Sequence, residues 1–192
     1  MNLDALIDNL PSSAKDLKLN YSSLVRNNSE LTPQQLWGTV AVSAMATRSA
    51  SLTAAALDAA AAQLSPAALE AAKSAAGIMG MNNIFYRFHH LSSNPKYATM
   101  PARLRMNGLR GHGVEDVDFE LWSLAVSAIN GCGKCVDAHE NVVRGKGATE
   151  ELVLAVVRVA AVIHAIGVVL DSVQAQSASV LAMEVEPANA TA

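Results

Sequence analysis

The sequence predicts an all-α fold made of two internally repeated helical halves, and three observations carry that expectation. Alanine is abundant while aromatic residues are only 4% of the chain, which favours helices packed at close range. Thr32-Pro33-Gln34-Gln35 combines an N-cap threonine, proline at N1 and glutamine at N3, with Leu31 and Leu36 placed as a hydrophobic staple. Finally, Leu36-Trp37 followed by Ala41-Val42-Ser43-Ala44-Met45 recurs as Leu121-Trp122 followed by Ala125-Val126-Ser127-Ala128-Ile129, an offset of about 84 residues.

The elements follow in order. Leu3, Leu6, Ile7 and Leu10 fall at helical spacing, and Pro11 ends that helix. A second helix runs from Ser12 or Ser13 to about Val25, and Asn27-Asn28-Ser29 is a turn. The helix opened by Thr32 reaches about Arg48. Ser51 caps the next, to about Gln63, and Ser65-Pro66 opens a long helix to about Leu91. Gly77 and Gly80 within it suggest close helix–helix contact, because glycine otherwise weakens a helix.

Ser92-Ser93-Asn94-Pro95 breaks the pattern, and a short helix is expected after Pro101. Gly108 to Gly113 is a glycine-rich loop without phosphate-loop spacing. Asp118 is placed to cap a helix leading to Gly131. A further helix runs from about Cys132 to Gly145. Thr149 then caps Glu150-Glu151, acids favourable in a first turn, and an apolar helix follows to about Val173. Residues 1–175 read as one domain, with pseudo-repeats at about 31–91 and 117–173 and a disordered tail over 176–192.

Composition narrows the function. A net charge of −3 argues against nucleic acid as a partner. Apolar residues are 51% and charged residues 16%, little charge for a monomer's surface, so a sizeable subunit interface is expected. The start lacks a basic region and a long apolar run, so no signal peptide is expected. Leu152 to Leu170 is about long enough to cross a bilayer, but Arg158 and His164 interrupt it; a buried core helix, a chain outside the membrane and a cytoplasmic location are expected. His164 reads as a core histidine, and His89, His90 and His112 as surface or interface groups.

The chemistry concentrates in Gly131-Cys132-Gly133-Lys134-Cys135-Val136-Asp137-Ala138-His139, which holds both cysteines. If a helix begins at about Cys132, then Cys132, Cys135 and His139 share one face. Positions i and i+3 lie within disulfide range, so a bridge forms and breaks with little backbone movement. The helix start and Lys134 favour a thiolate, and His139 can accept a thiol proton, directly or through water. A redox dithiol is the favoured reading. Simple packing, a static disulfide, and a zinc site using Cys132, Cys135 and His139, with His89 or His90 folded over, remain open. Nearest the helix start, Cys132 is expected to be the more exposed, attacking thiol. Hairpin spacing places His139 opposite residue 124 or 125, a turn short of Glu120. In the first half Thr47 and Arg48 stand near the place of the cysteines, so the chemistry is confined to one copy.

Phe119-Glu120-Leu121-Trp122, Ala125 to Gly131, and Cys132-x-x-Cys135-x-x-x-His139-Glu140 together resemble the alkyl hydroperoxide reductase AhpD family, within the carboxymuconolactone decarboxylase-like superfamily. The similarity extends to Lys15–Asn20, Gln35–Thr39, Ile78-Met79-Gly80-Met81-Asn82-Asn83 and Leu104–Asn107, nearly the whole chain. It implies a multihelical AhpD-like fold, usually a homotrimer, with no bound cofactor. It implies an antioxidant dithiol enzyme that reduces hydroperoxides and recycles the peroxiredoxin AhpC. Electrons would come from dihydrolipoamide on a lipoylated dihydrolipoamide acyltransferase, a 2-oxoacid dehydrogenase component, and from NADH upstream through dihydrolipoamide dehydrogenase. By the same resemblance Cys135 becomes a sulfenic acid, Cys132 resolves it as a disulfide, His139 relays the proton with a water, and Glu120 is the distant base. The family position of Lys134 can be histidine. The alternatives are a decarboxylase-like enzyme acting on a lactone acid, which needs no dithiol, and a non-catalytic zinc-stabilised helical module.

Overall fold

A computed structural model describes residues 2–185, with side chains through Ser179, and the described residues form helices and no strands. Helices α1 (Leu3–Asp8) and α2 (Lys15–Tyr21) form an N-terminal arm, α2 running on into a wider π turn at Ser22–Arg26. Two runs of three helices follow. The first is α3 (Pro33–Thr47), α4 (Ala50–Ala61) and α5 (Pro66–Leu91). A short α6 (Lys96–Thr99) and a 3-10 turn at Asn107–Leu109 lead to the second, α7 (Asp116–Ile129), α8 (Gly133–Gly145) and α9 (Glu150–Val185).

Several starts follow the sequence chemistry. Thr32 Oγ1 accepts the Gln35 N–H at 3.2 Å, and Gln35 Oε1 accepts the Thr32 N–H at 3.1 Å, completing the capping box. Ser65 and Thr149 occupy matching places and do the same work: their hydroxyls accept the N–H groups of Ala68 and Leu152 at 3.1 and 3.2 Å. The packing repeats as well. Helix α3 packs on α4, α5, α7 and α9, and α7 packs on α8, α9, α3 and α5. Helices α3 and α7 therefore form the centre, where Val40, Ala41, Val42 and Ala44 meet Leu121, Trp122, Ala125 and Val126, all within 1% of complete burial.

The apolar α9 is long and apolar enough to cross a membrane, yet it serves as the third core helix. Val156, Val159, Ala160, Ile163 and Ile166 are buried against the bundle, while Arg158 points outward to Glu30 at 3.2 Å. His164 is exposed, not a core histidine; it lies on the same outward stripe as Ala161 and Val168.

Other expectations need correction. Asp118 does not cap α7, which starts one turn earlier after Glu115. Instead its buried carboxylate accepts from the amides of Gln34 and Gln35 at 2.7 and 3.0 Å, joining the starts of α3 and α7. Ser49, not Ser51, precedes α4. After Pro101 the chain makes only the 3-10 turn at Asn107–Leu109, and a further short helix, α6, stands before it, where Asn94 Oδ1 accepts the Lys96 N–H. Helix α9 continues past Val173 through Val185, across much of the expected tail; Gln174 to Val185 holds no glycine or proline, and extending a formed helix is far cheaper than starting one. Residues 186–192 of that tail lie outside the described residues.

Gly77 and Gly80 have open space beside them, so they mark no close crossing among the described residues. The close crossings are at Gly38 and Gly167. A Cβ on Gly38 would sit 2.1 Å from Trp122 Cε2, and one on Gly167 would sit 2.9 Å from Thr47 Cβ. Trp122 also donates its Nε1–H to the Gln35 carbonyl at 3.4 Å, so the indole is held on the α3 backbone. Gly38→Ala should therefore destabilise the protein by about 1–3 kcal/mol through overpacking, although alanine is the better helix former. Gly77→Ala should stabilise it by up to about 1 kcal/mol. Chemical denaturation of the two variants checks both signs.

Candidate active site

The two cysteines sit where α7 turns back into α8. Helix α7 ends at Ile129, and Gly131 takes the left-handed conformation, φ +66°. The Gly131 N–H bonds Ala128 O and the Cys132 N–H bonds Ser127 O, both at 3.1 Å, a Schellman ending. Cys132 is thus the last residue of one helix cap and the N-cap of the next. Cys135 lies in the first turn of α8, its N–H bonded to Cys132 O at 3.0 Å. The sulfurs form a disulfide, with Cα atoms 5.3 Å apart.

This turn also sets the level of the other site residues. Glu120 lies seven residues before Ser127, and His139 seven residues after Cys132, each roughly 10 Å along its helix. Because Ser127 O and Cys132 N are bonded, Glu120 and His139 come level. Glu120 Oε2 lies 2.6 Å from His139 Nδ1, a direct charge-assisted contact. The predicted register, one turn short, took the hairpin to begin at Gly131; the Schellman turn folds α8 back one turn earlier. At the open end of the hairpin Lys146 Nζ bonds Asp116 Oδ2 at 2.6 Å, which holds that carboxyl below its usual range.

The imidazole is bracketed. With Glu120 ionised, Nδ1 carries hydrogen and donates to the carboxylate. Nε2 lies 3.2 Å from Met79 Sδ on α5. His139 and Cys135, one turn apart on α8, both line a cleft of about 430 Å³, whose other walls include Met79, Asn82 and Tyr86 of α5 together with Met106 and Leu109. Lys134 stands at its rim, its Nζ 5.4 Å from the centroid of the Tyr86 ring.

Cys132 is completely buried and Cys135 is 5% exposed into the cleft, which reverses the expected order of exposure. The cap position explains it: Cys132 belongs to a tight turn against α7, whereas Cys135 lies one turn on, facing α5 across the cleft. Its Sγ lies 4.0 Å from the Asn82 carbonyl oxygen.

Sequence reasoning missed the polar lattice that fixes this turn. Asn83 Nδ2 donates to Ser127 Oγ at 2.9 Å, Asn130 Nδ2 donates to Asn83 Oδ1 at 3.0 Å, and Ser127 Oγ donates to Ser123 O at 2.8 Å. Arg87 Nη1 donates to Asn130 O at 2.5 Å. Two adjacent asparagines inside a long helix, where asparagine is a poor former, were the available signal. The other histidines do not join the site. His89 packs against Phe85, ring centroids 4.5 Å apart, rather than folding over the cysteines, and His90 is exposed. His112 is not a surface group: its side chain is buried and stacks on Phe119 at 4.2 Å, with Nε2 3.4 Å from Asp116. The described residues hold no cluster of three or more His, Cys, Asp or Glu placed for a metal ion.

Comparison with known proteins agrees with the resemblance. The chain is 73% identical over 172 residues to the alkyl hydroperoxide reductase AhpD of Acidobacterium capsulatum, covering 90% of this chain and 94% of that protein. It is 56% identical to the AhpD of Koribacter versatilis, covering 90% and 89%, and 49% identical to that of Brucella canis, covering 90% and 98%. The chain belongs to the AhpD family. Residues 95–178 match the carboxymuconolactone decarboxylase family, so the wider family's match spans the dithiol half of this AhpD-family chain.

The burial order has a direct check. Reduced protein treated with limiting iodoacetamide should be modified at Cys135 before Cys132, read by peptide mapping. First labelling of Cys132 would contradict the geometry above.

Proposed function

We propose that this chain is a lipoyl-dependent alkyl hydroperoxide reductase whose Cys132–Cys135 dithiol is the redox centre. One observation carries the reading: a disulfide closed across one helical turn, with Cys135 in a cleft beside an imidazole that is itself held by a half-buried carboxylate. Membership of the AhpD family supports it.

In the proposed cycle His139, oriented by Glu120, takes the Cys135 proton, directly or through a water. The thiolate attacks the terminal oxygen of the hydroperoxide. An S–O bond forms, the O–O bond breaks, and the alkoxide leaves with a proton as alcohol. Cys132 attacks the sulfur of the sulfenic acid, and water departs as the disulfide closes. Dihydrolipoamide then attacks that disulfide through a mixed disulfide, restoring the dithiol and leaving lipoamide. The helix start and Lys134 favour the thiolate in each step. In this reading dihydrolipoamide is a substrate rather than a resident cofactor, carried by a lipoylated dihydrolipoamide acyltransferase and regenerated by dihydrolipoamide dehydrogenase. The same dithiol would reduce the disulfide of the peroxiredoxin AhpC. A cytoplasmic location suits a dithiol that must be re-reduced.

We further propose a homotrimer. Ile84, Phe88, Leu91, Tyr97, Met100 and Leu104 are exposed large apolar side chains along the end of α5 and the segment after it, more than a monomer commonly presents together. Light scattering of the purified protein should give about three times the chain mass, and a monomer would overturn this part of the reading.

NADH oxidation coupled through dihydrolipoamide dehydrogenase, lipoamide and a hydroperoxide tests the cycle. Cys132→Ser and Cys135→Ser should each abolish turnover, to below about 1% of the parent, because neither can form the disulfide. A decarboxylase-like enzyme would remain active after alkylation, and a zinc module would carry about one zinc per subunit.

A further inference from the structure

Asn82 is a buried polar side chain of α5 that lines the cleft, and its carboxamide oxygen has no partner among the described residues. It is 4% exposed. Its neighbour Asn83 uses both ends of its amide in the lattice under the turn. A buried carbonyl left unpaired is costly, and the natural remedy is a group that arrives from the cleft. The main-chain oxygen of Asn82 is 4.0 Å from Cys135 Sγ, and Asn82, Cys135 and His139 line the same cleft. The outer walls, Met106 and Leu109, are apolar. An occupant therefore presents a small polar head to Asn82, Cys135 and His139, and an apolar body to the walls.

We propose that the Asn82 carboxamide is the binding group for the hydroperoxide head in the peroxidase reading above, on which this inference rests. A hydroperoxide offers one O–H donor and two acceptor oxygens, and a carboxamide offers the complement. A turn of the carboxamide about its soft terminal torsion brings the unpaired Oδ1 to the cleft, where it accepts the terminal O–H while an Nδ2–H donates to the oxygen bonded to carbon. Cys135 thiolate then attacks the terminal oxygen, the O–O electron pair passes to the carbon-bound oxygen, and His139 returns the proton it took from Cys135. Sulfur is oxidised to the sulfenic acid and the peroxide is reduced to alcohol. The Nδ2–H bond strengthens as charge develops on the leaving oxygen, so it favours the transition state over the bound substrate. The amide of lipoamide cannot use Asn82 in the same way. Several methylene groups separate it from its sulfurs, so with a sulfur at Cys135 it lies well outside. Asn82 thus acts in the oxidative half of the cycle and not in the reductive half.

The two halves can be timed separately. Reduced protein is mixed with cumene hydroperoxide and loss of free thiol is followed; disulfide protein is mixed with dihydrolipoamide and thiol gain on the protein is followed. Asn82→Leu keeps the approximate volume and removes the amide, and Asn82→Ala serves if leucine prevents folding. The peroxide step should slow by roughly 10- to 100-fold, the factor expected for one lost hydrogen bond to a charged group in the transition state, while the dihydrolipoamide step stays within about twofold. A peroxide step as fast as the parent's overturns the proposal alone. Equal slowing of both steps overturns it too, since it marks a general disturbance of the dithiol. A parent protein inert to hydroperoxide overturns the peroxidase reading and this inference with it.

Discussion

The bond from the Cys132 N–H to the Ser127 carbonyl is the constraint on which the site depends. It exists because Gly131 enters the left-handed region, where a Cβ would cost roughly 1 kcal/mol or more. From it follow the burial of Cys132 in the turn, the placing of Cys135 in the first turn of α8, and the levelling of Glu120 with His139. A straight hairpin with a looser turn would keep the dithiol spacing and lose the carboxylate–imidazole contact.

A turn of three residues does not hold its geometry unaided. The lattice of Asn83, Ser127, Asn130 and Arg87 ties it to α5, and each member is matched donor to acceptor. Buried polar lattices of this kind contribute little net stability when complete, but cost about 1–3 kcal/mol for each group left unpaired. Their effect is to permit one arrangement of α5 against the α7–α8 turn. That arrangement brings Met79 to His139 Nε2 and Asn82 to the side of Cys135. The cleft is therefore a product of the contact between the two halves, not of the cysteine helix alone.

The halves share a scaffold and differ at their turns. After α3 the left-handed residue is Arg48, φ 67°, and its cap is completed by Thr47 and Ser49; after α7 it is Gly131, and two cysteines follow. The central helices approach closely because small residues face large ones, Gly38 under the Trp122 ring and Gly167 against Thr47. Such a core tolerates differences at its ends while the packing at its centre is kept, so the two three-helix runs can carry different turns.

Most of the helices, the starts at Thr32, Ser65 and Thr149, and the placing of Cys135 and His139 one turn apart on one helix were legible in the chain. Each is a local matter, decided by hydrogen-bond chemistry within three or four residues, and spacing along a helix expresses it directly. The position of Asp118, the exposed place of His164, the persistence of α9 and the order of burial of the two cysteines were not. They depend on which face of each helix meets a partner distant in sequence. The same holds for Glu120 beside His139 and for Asn82 and Met79 in the cleft: periodicity fixes a face but not the neighbour it meets, and packing of α5, α7 and α8 chose those neighbours.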